Sequence, residues 1–195
     1  MGNRLSKLFH WFPELKKLFG ASTEEDFNAF LDLHFERCVQ RMEAEAHHLV
    51  EDGEEKLSAF LAAALSLPGL AVTRESFSNG RVDLTIRSES VLNTQQRLAE
   101  AKIYGGPSYH AKAIGQLIAR YSTGRQQVGY VIEYVKDPGI ARIVSRLRNV
   151  ADSELPVQQK GSTRDHAMRW AYVSDHQHAS DELIRVVHIN VNLHR

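Results

Sequence analysis

Sulfur chemistry is nearly absent from this chain: 195 residues carry one cysteine, Cys38. That excludes an internal disulfide, a four-cysteine zinc site and an iron–sulfur cluster, and it fits a reducing compartment, most simply the cytoplasm. Long apolar runs are missing as well. Nothing approaches the roughly 20 residues that cross a bilayer, and the chain start lacks the apolar stretch and small-residue cleavage site of a signal peptide, so no membrane partner is expected. Charge of one sign is also lacking, since 24 Lys+Arg offset 24 Asp+Glu. No global field therefore advertises nucleic acid, and such a partner has to be met by a local patch. Repeats and low-complexity tracts are absent. What is present, 43% hydrophobic residues at this length, fits one domain with a single core.

The neutral sum hides a segregation. Residues 22–55 carry 11 acidic and 2 basic side chains, while residues 97–148 carry 3 acidic and 9 basic ones. Near the start, Met1-Gly2-Asn3-Arg4-Leu5-Ser6 matches the loose pattern for a lipid on Gly2. The simpler expectation is a short amphipathic start in which Leu8, Trp11, Phe12, Leu15 and Phe19 dock on the domain. Ser22-Thr23-Glu24-Glu25 supplies capping hydroxyls and early carboxylates for a helix, and an apolar stripe from Phe27 to Leu49 follows at helical spacing. A second stripe, Leu57 to Leu65, is stopped by Pro68-Gly69.

From Leu70 the period changes to two. A β-prone stretch to Phe77, a turn at Ser78-Asn79-Gly80, and the alternation of Val82, Leu84 and Ile86 against Arg81, Asp83 and Thr85 predict a hairpin. Residues 97–104 predict a strand closed by Gly105-Gly106-Pro107, and residues 109–121 a helix. The apolar run 127–135 predicts an interior strand, 140–150 a helix, 151–165 a polar loop, and 169–173 and 183–193 two last strands. The expected fold is α/β: a mixed, largely antiparallel sheet of about five strands flanked by helices, with residues 1–50 as a helical extension of a 51–195 domain.

Glu100 and Lys102 lie on one face of their strand, whereas Ala101 points away and leaves its carbonyl at the strand edge. If the hairpin strand bearing Asp83 lies alongside, two carboxylates and an ammonium converge. Burying such groups unpaired in apolar β-segments costs several kcal/mol, so the fold needs compensating partners. A hard divalent cation, Mg²⁺ or Mn²⁺, suits carboxylate and carbonyl oxygens, with Asp83, Glu100 and Ala101 as ligands and Lys102 orienting or activating water or stabilising phosphoryl charge. In the following helix Lys112, Gln116 and Arg120 form a polar stripe. Gln116 borders the apolar face, where its amide needs a partner such as a metal-bound water or a phosphate. With Arg142 and Arg146 farther on, Lys112 and Arg120 supply a patch for phosphates.

The order Asp83, Glu100-Ala101-Lys102 and Gln116 resembles the active-site pattern of the PD-(D/E)XK nuclease superfamily, over about residues 51–150. Val82 stands where the name-giving proline would be. The resemblance implies a restriction-endonuclease-like fold and metal-dependent phosphodiester hydrolysis, with DNA favoured over RNA. It also implies an additional carboxylate ligand from the first helix, for which Glu51, Glu54 and Glu55 are available and Glu55 is preferred. Sequence specificity would come from a homodimer or a partner protein, in bacterial defence or DNA processing. The competing expectation is an inactive nuclease-like module that uses the acidic 22–55 segment to bind a partner, or that binds nucleic acid without cutting it.

Other motifs carry less. His47-His48 and Asp175-His176-Gln177-His178 lack metalloprotease spacing, and neighbouring helical histidines point to different sides. Cys38 sits on an apolar stripe, where cysteine acts as a small hydrophobe. Gly105-Gly106 lacks the further glycine or Gly-Lys-Ser/Thr of nucleotide loops.

Overall fold

The computed structural model describes residue 7 and residues 9–77, 81–89 and 96–195. The predicted turn at Ser78-Asn79-Gly80, the Gly2 pattern and Leu8 lie outside the described residues. The helices are α1 (Pro13–Gly20), α2 (Glu24–Ala44), α3 (Ala46–Leu49), α4 (Glu54–Leu65), α5 (Pro107–Gly115) and α6 (Ile140–Glu154). The strands are β1 (Leu70–Phe77), β2 (Arg81–Ser88), β3 (Gln96–Ile103), β4 (Val128–Val135), β5 (Arg164–Asp165), β6 (Ala171–Gln177) and β7 (Leu183–Asn192). They form one mixed sheet in the order β1-β2-β3-β4-β7-β6-β5. Seven strands replace the five expected. The last two strands, expected near 169–173 and 183–193, form as β6 and β7; the unexpected one is β5, which forms inside the predicted polar loop and pairs with β6.

β1, β2 and β3 run as an antiparallel meander, but β3 pairs β4 in parallel and β4 pairs β7 in parallel. Parallel neighbours need crossovers, and the helices fill that role on one face of the sheet. α5 and a π-helical continuation, Gln116–Tyr121, join β3 to β4, and α6 follows β4. On this face Leu117, Ile118 and Tyr121 meet Leu98, Val131 and Val186, and Val144 and Leu147 meet Val135 and Tyr172. Gly129 makes the first contact possible. A Cβ there would stand 2.9 Å from Leu117 Cδ2, so any other residue would force the Leu117 side chain to shift.

α2 and α4 cover the opposite face, their Phe27, Phe30, Phe35, Leu57 and Leu61 sharing one core with Leu84, Ala99, Tyr130 and Ile132. The helix assigned to the extension is thus part of the main core. α2 opens as expected on a capping box: Asp26 N–H donates to Thr23 Oγ1 and Thr23 N–H to Asp26 Oδ2, at 3.1 and 3.2 Å. It ends at Ala44, and the single helix predicted to Leu49 is broken at Glu45. In α1, Leu15 docks, but Trp11, Phe12 and Phe19 stay exposed, contrary to the expectation that they dock with it. Leu15 and Leu18 already occupy the contact face.

β4 is buried along its whole length, as its apolar run predicted. β2 keeps the predicted alternation only in part: Leu84 and Ile86 face the α2 side, while Val82 packs with the α5 cluster. The strand turns at Asp83, and that turn builds the site.

Candidate active site

The β2–β3 ladder runs from Arg87↔Gln96 to Leu84↔Ala99 and stops. Beyond that point β2 diverges, and β3 is left with N–H groups aimed at a missing neighbour. Such donors are costly if buried and unpaired. Two carboxylates take them. Ala101 N–H donates to Asp83 Oδ2 at 3.0 Å, and Ile103 N–H donates to Glu54 Oε2 at 3.3 Å. The alternate residues face β4 instead, as Tyr104 N–H donating to the Tyr134 carbonyl shows. Because a strand residue's N–H and C=O share a side, the Ala101 carbonyl faces the same fork as its N–H.

Lys102 fills the fork. Its Nζ lies 2.8 Å from Glu100 Oε1, 3.2 Å from Glu54 Oε1 and 3.3 Å from Asp83 Oδ2. Asp83, Glu100 and Lys102, expected to converge from two strands, do so around one ammonium. The helix carboxylate requires a correction, because Glu54 and not Glu55 joins them. Glu54 opens α4 and faces the sheet, whereas Glu55, one position on, is rotated outward, 82% exposed, and pairs with Arg74. Glu51 stays exposed. A helix turns about 100° per residue, so only one of two adjacent acids can reach the fork.

Glu100 is the buried member, with 1% of its side chain exposed and Oε2 lacking any hydrogen-bond partner. Burial, and secondarily the Asp83 charge, push its carboxyl up to about 7 against the hydrogen bond from Lys102. Burial alone pulls the Lys102 ammonium down, but the Glu100 hydrogen bond and the charges of Glu100, Asp83 and Glu54 outweigh it and hold the group above its ordinary range. The three acids therefore favour the charged form of Lys102.

The donor set tests whether a hard cation fits. An orphaned buried carboxylate oxygen, a second carboxylate and a strand carbonyl are oxygen donors of the kind Mg²⁺ accepts from one or two acids while retaining several waters. Asp83, Glu100 and Ala101 would hold it, with Glu54 beside them. The acids are spread around Nζ. Among the described residues the one trio offering ligand atoms within 4.8 Å of one another is elsewhere, at exposed Glu45, His47 and His48. Those two imidazoles stand 3.5 Å apart between centroids, so the expectation that they diverge fails where α2 breaks into α3.

A cleft of about 650 Å³ opens beside the fork, lined by Lys102, Tyr109, Lys112, Gly115, Gln116 and Arg120. The predicted polar stripe thus faces the site. Gln116 begins the π-helical segment, which keeps its amide at the cleft wall, and among the described residues that amide has no partner. Arg142 and Arg146 lie apart from it, on the outer face of α6 around an open concavity of about 510 Å³. Three further cations of the positive window are spent on partners within the chain, while Arg125 is exposed. Arg97, 2% exposed, binds Glu24 Oε2 at 2.6 Å and Asn28; Lys136 donates to the Asp52 carbonyl; Arg148 binds Thr163 and Asp165. Cys38 is buried as a small hydrophobe, its thiol pushed up to about 11 by burial and donating to the Ala64 carbonyl.

Tyr109 and Glu54 are the members that sequence reasoning left out or ranked second. Pro107 opening a helix after Gly105-Gly106 puts Tyr109 in the first turn, where its ring lies against Gly105, and that was a readable signal. No protein-family model matches the chain, and no curated protein or solved structure matches it. Among the described residues no helix is long and apolar enough to cross a membrane.

Proposed function

We propose that this protein is a metal-dependent nuclease that hydrolyses phosphodiester bonds, with DNA as substrate and Mg²⁺ or Mn²⁺ as cofactor. The observation that carries the reading is the fork: three carboxylates from three elements gathered on one partly buried lysine, at the rim of a cleft lined by unspent cationic and amide side chains. Glu100 Oε2 is buried without a hydrogen-bond partner, and an uncompensated buried acid costs stability. When bound, the cation supplies polarisation of a phosphoryl oxygen and a lowered pKa for a coordinated water. Water oxygen bonds to phosphorus as one ester P–O bond breaks, yielding a phosphate monoester and a hydroxyl. Lys102, whose ammonium the three surrounding acids favour, stabilises the negative charge that builds on the phosphoryl oxygens. Gln116 holds the attacking water or a phosphoryl oxygen, while Lys112 and Arg120 hold neighbouring phosphates and Arg142 and Arg146 extend the track.

A cytoplasmic setting in defence or DNA processing, and specificity supplied by a homodimer or partner, complete the reading. The alternative of an acidic helix offered to a partner finds less support. Glu24 binds Arg97, Asp32 lies 3.2 Å from His166, and Glu36 and Glu43 accept the N–H groups of Arg169 and Asn192.

The test is plasmid cleavage with Mg²⁺, Mn²⁺ or EDTA by the wild type and by Asp83→Ala, Lys102→Ala and Glu54→Gln. Metal-dependent cutting lost with the first two and weakened with the third is the expected result. Nicking equal in all four proteins, or unaffected by EDTA, would sink the proposal.

A further inference from the structure

On the cleft side of the sheet, next to the fork, a second set of buried side chains is joined in series. Glu133 Oε1 lies 2.7 Å from His110 Nδ1, and His110 Nε2 lies 2.9 Å from His188 Nδ1. His188 Nε2 lies 2.7 Å from Ser174 Oγ, which lies 2.7 Å from His176 Nε2, and His176 Nδ1 lies 3.0 Å from the Val157 carbonyl. The chain ties α5, β4, β7 and β6 together, and His110 sits two residues before Lys112 on the helix that leads into Gln116.

Both ends of this chain accept hydrogen bonds, one as a carboxylate and one as a carbonyl. Each of its five links needs one proton between two polar atoms, and a neutral imidazole or a hydroxyl carries one. His110, His188, Ser174 and His176 supply four. However the tautomers are arranged, one link then sets two lone pairs against each other inside the protein, at a cost of the unpaired-acceptor kind. The Tyr172 hydroxyl, 3.0 Å from His110 Nε2, adds one proton and one link and leaves the deficit unchanged.

We infer that the chain binds one extra proton, shared by Glu133 and His110, and that the seating of α5 on the sheet depends on it. The proton belongs at that link because Glu133 is the only anion in the series and its Oε2 is buried with no partner. A charge on His176 instead would stand four links away from its counter-charge in a medium of low dielectric. Burial first, and then the His110 charge, holds His188 well below the ordinary imidazole range, and burial also lowers His176. The other groups facing the chain are Arg148 on α6, 5.9 Å from the Tyr172 ring centre, Asp152 on α6, Tyr104 after β3, and Asp175 beside His176. A tetrahedral zinc ion in place of the proton needs its two nitrogens about 3.3 Å apart, wider than the His110–His188 contact. Neither the links nor the proton depend on any catalytic role of the fork.

Nitrogen NMR of the imidazoles in the full chain at pH 7.5 reads the proton directly. The expected spectrum has His188 and His176 neutral, and His110 either doubly protonated or sharing its proton with a Glu133 carboxyl. In Glu133→Gln the amide N–H donates to His110 Nδ1 and completes all five links, so three neutral imidazoles are expected. Denaturation follows with a defined sign. Above about pH 7 the folded chain holds a proton that the unfolded one has released, so stability falls as pH rises. The wild type loses up to tenfold in folding equilibrium constant per pH unit relative to Glu133→Gln. Three neutral imidazoles beside an ionised Glu133 in the wild type, equal pH slopes for the two proteins, or stoichiometric zinc by elemental analysis would each overturn the inference. Should Glu133→Gln fail to fold, the wild-type spectrum alone decides.

Discussion

The fork at Asp83 and the imidazole chain at Glu133 are neighbours across β3 and β4, with Lys102 opposite Glu133 in register. Each contains a buried carboxylate with one oxygen that lacks a partner. They differ in what surrounds that carboxylate. The imidazole chain is sealed, drawn from four elements, and uses each ring nitrogen and hydroxyl on another member or on backbone. The fork gathers three acids on one ammonium and opens on a cleft whose Gln116 amide is uncommitted. A polar cluster that closes on itself anchors a fold, whereas one left with excess charge beside solvent is arranged for something that arrives from outside.

Two substitutions separate these roles. Lys102→Met removes the sole ammonium of the fork and leaves Glu100 buried against Asp83, so a loss of about 3–5 kcal/mol is expected in urea denaturation without metal. Added Mg²⁺ should restore part of it, because the same oxygens then face a different cation; no response to Mg²⁺ would mean that the fork does not bind it. Ser174→Ala cuts the imidazole chain and strands ring nitrogens of His188 and His176, at about 2–4 kcal/mol. That loss should be indifferent to Mg²⁺. Equal metal responses of the two variants would erase the distinction between the clusters.

The fork was readable from sequence because its signals are local. Asp83 is the acid among the polar members of a strand alternation, and Glu100-Ala101-Lys102 places an acid and a base on one strand face. Glu54 was harder to choose over Glu55, since adjacent acids at a helix start differ only in rotation toward a sheet not yet positioned. The strand count failed at β5, two residues held by pairing with Tyr172 and Val173 and by no pattern of their own. The imidazole chain was not legible at all. Its members are spread from residue 110 to residue 188 and become a unit only through the parallel register of β4 and β7. The opposed charge windows misled for a similar reason, since buried Arg97 is neutralised by the half-exposed Glu24 across 73 positions of sequence.

Glu100→Gln sharpens the comparison from the opposite direction. With its carboxyl raised to about 7, Glu100 keeps a proton in the folded chain between about 4.5 and 7 that the unfolded chain has given up. Its contribution is therefore greatest in acid and is lost as pH rises through about 7. The glutamine variant should gain about 1–2 kcal/mol over the wild type at pH 8 in metal-free buffer and little at pH 5, while losing cleavage. An equal change at both pH values would remove burial of the charged acid as the cause.

The smallest effects on folding fall on the cleft wall and the outer face of α6. Lys112 and Arg120 are cations at the cleft, and Arg142 and Arg146 lie on the outer face of α6. Truncating any one of them to Ala should change stability by no more than about 0.5 kcal/mol. Their effect belongs to binding. If each contacts one phosphate, each truncation lowers the slope of log affinity against log salt by about 0.9 for duplex DNA, whatever the base sequence. Lys112→Ala with Arg120→Ala should lower it by about 1.8 and slow cleavage, because these two lie beside the fork. A slope that survives this double change but falls with Arg142→Ala and Arg146→Ala would place the DNA on α6, and the cleft would then have to admit something smaller than a duplex.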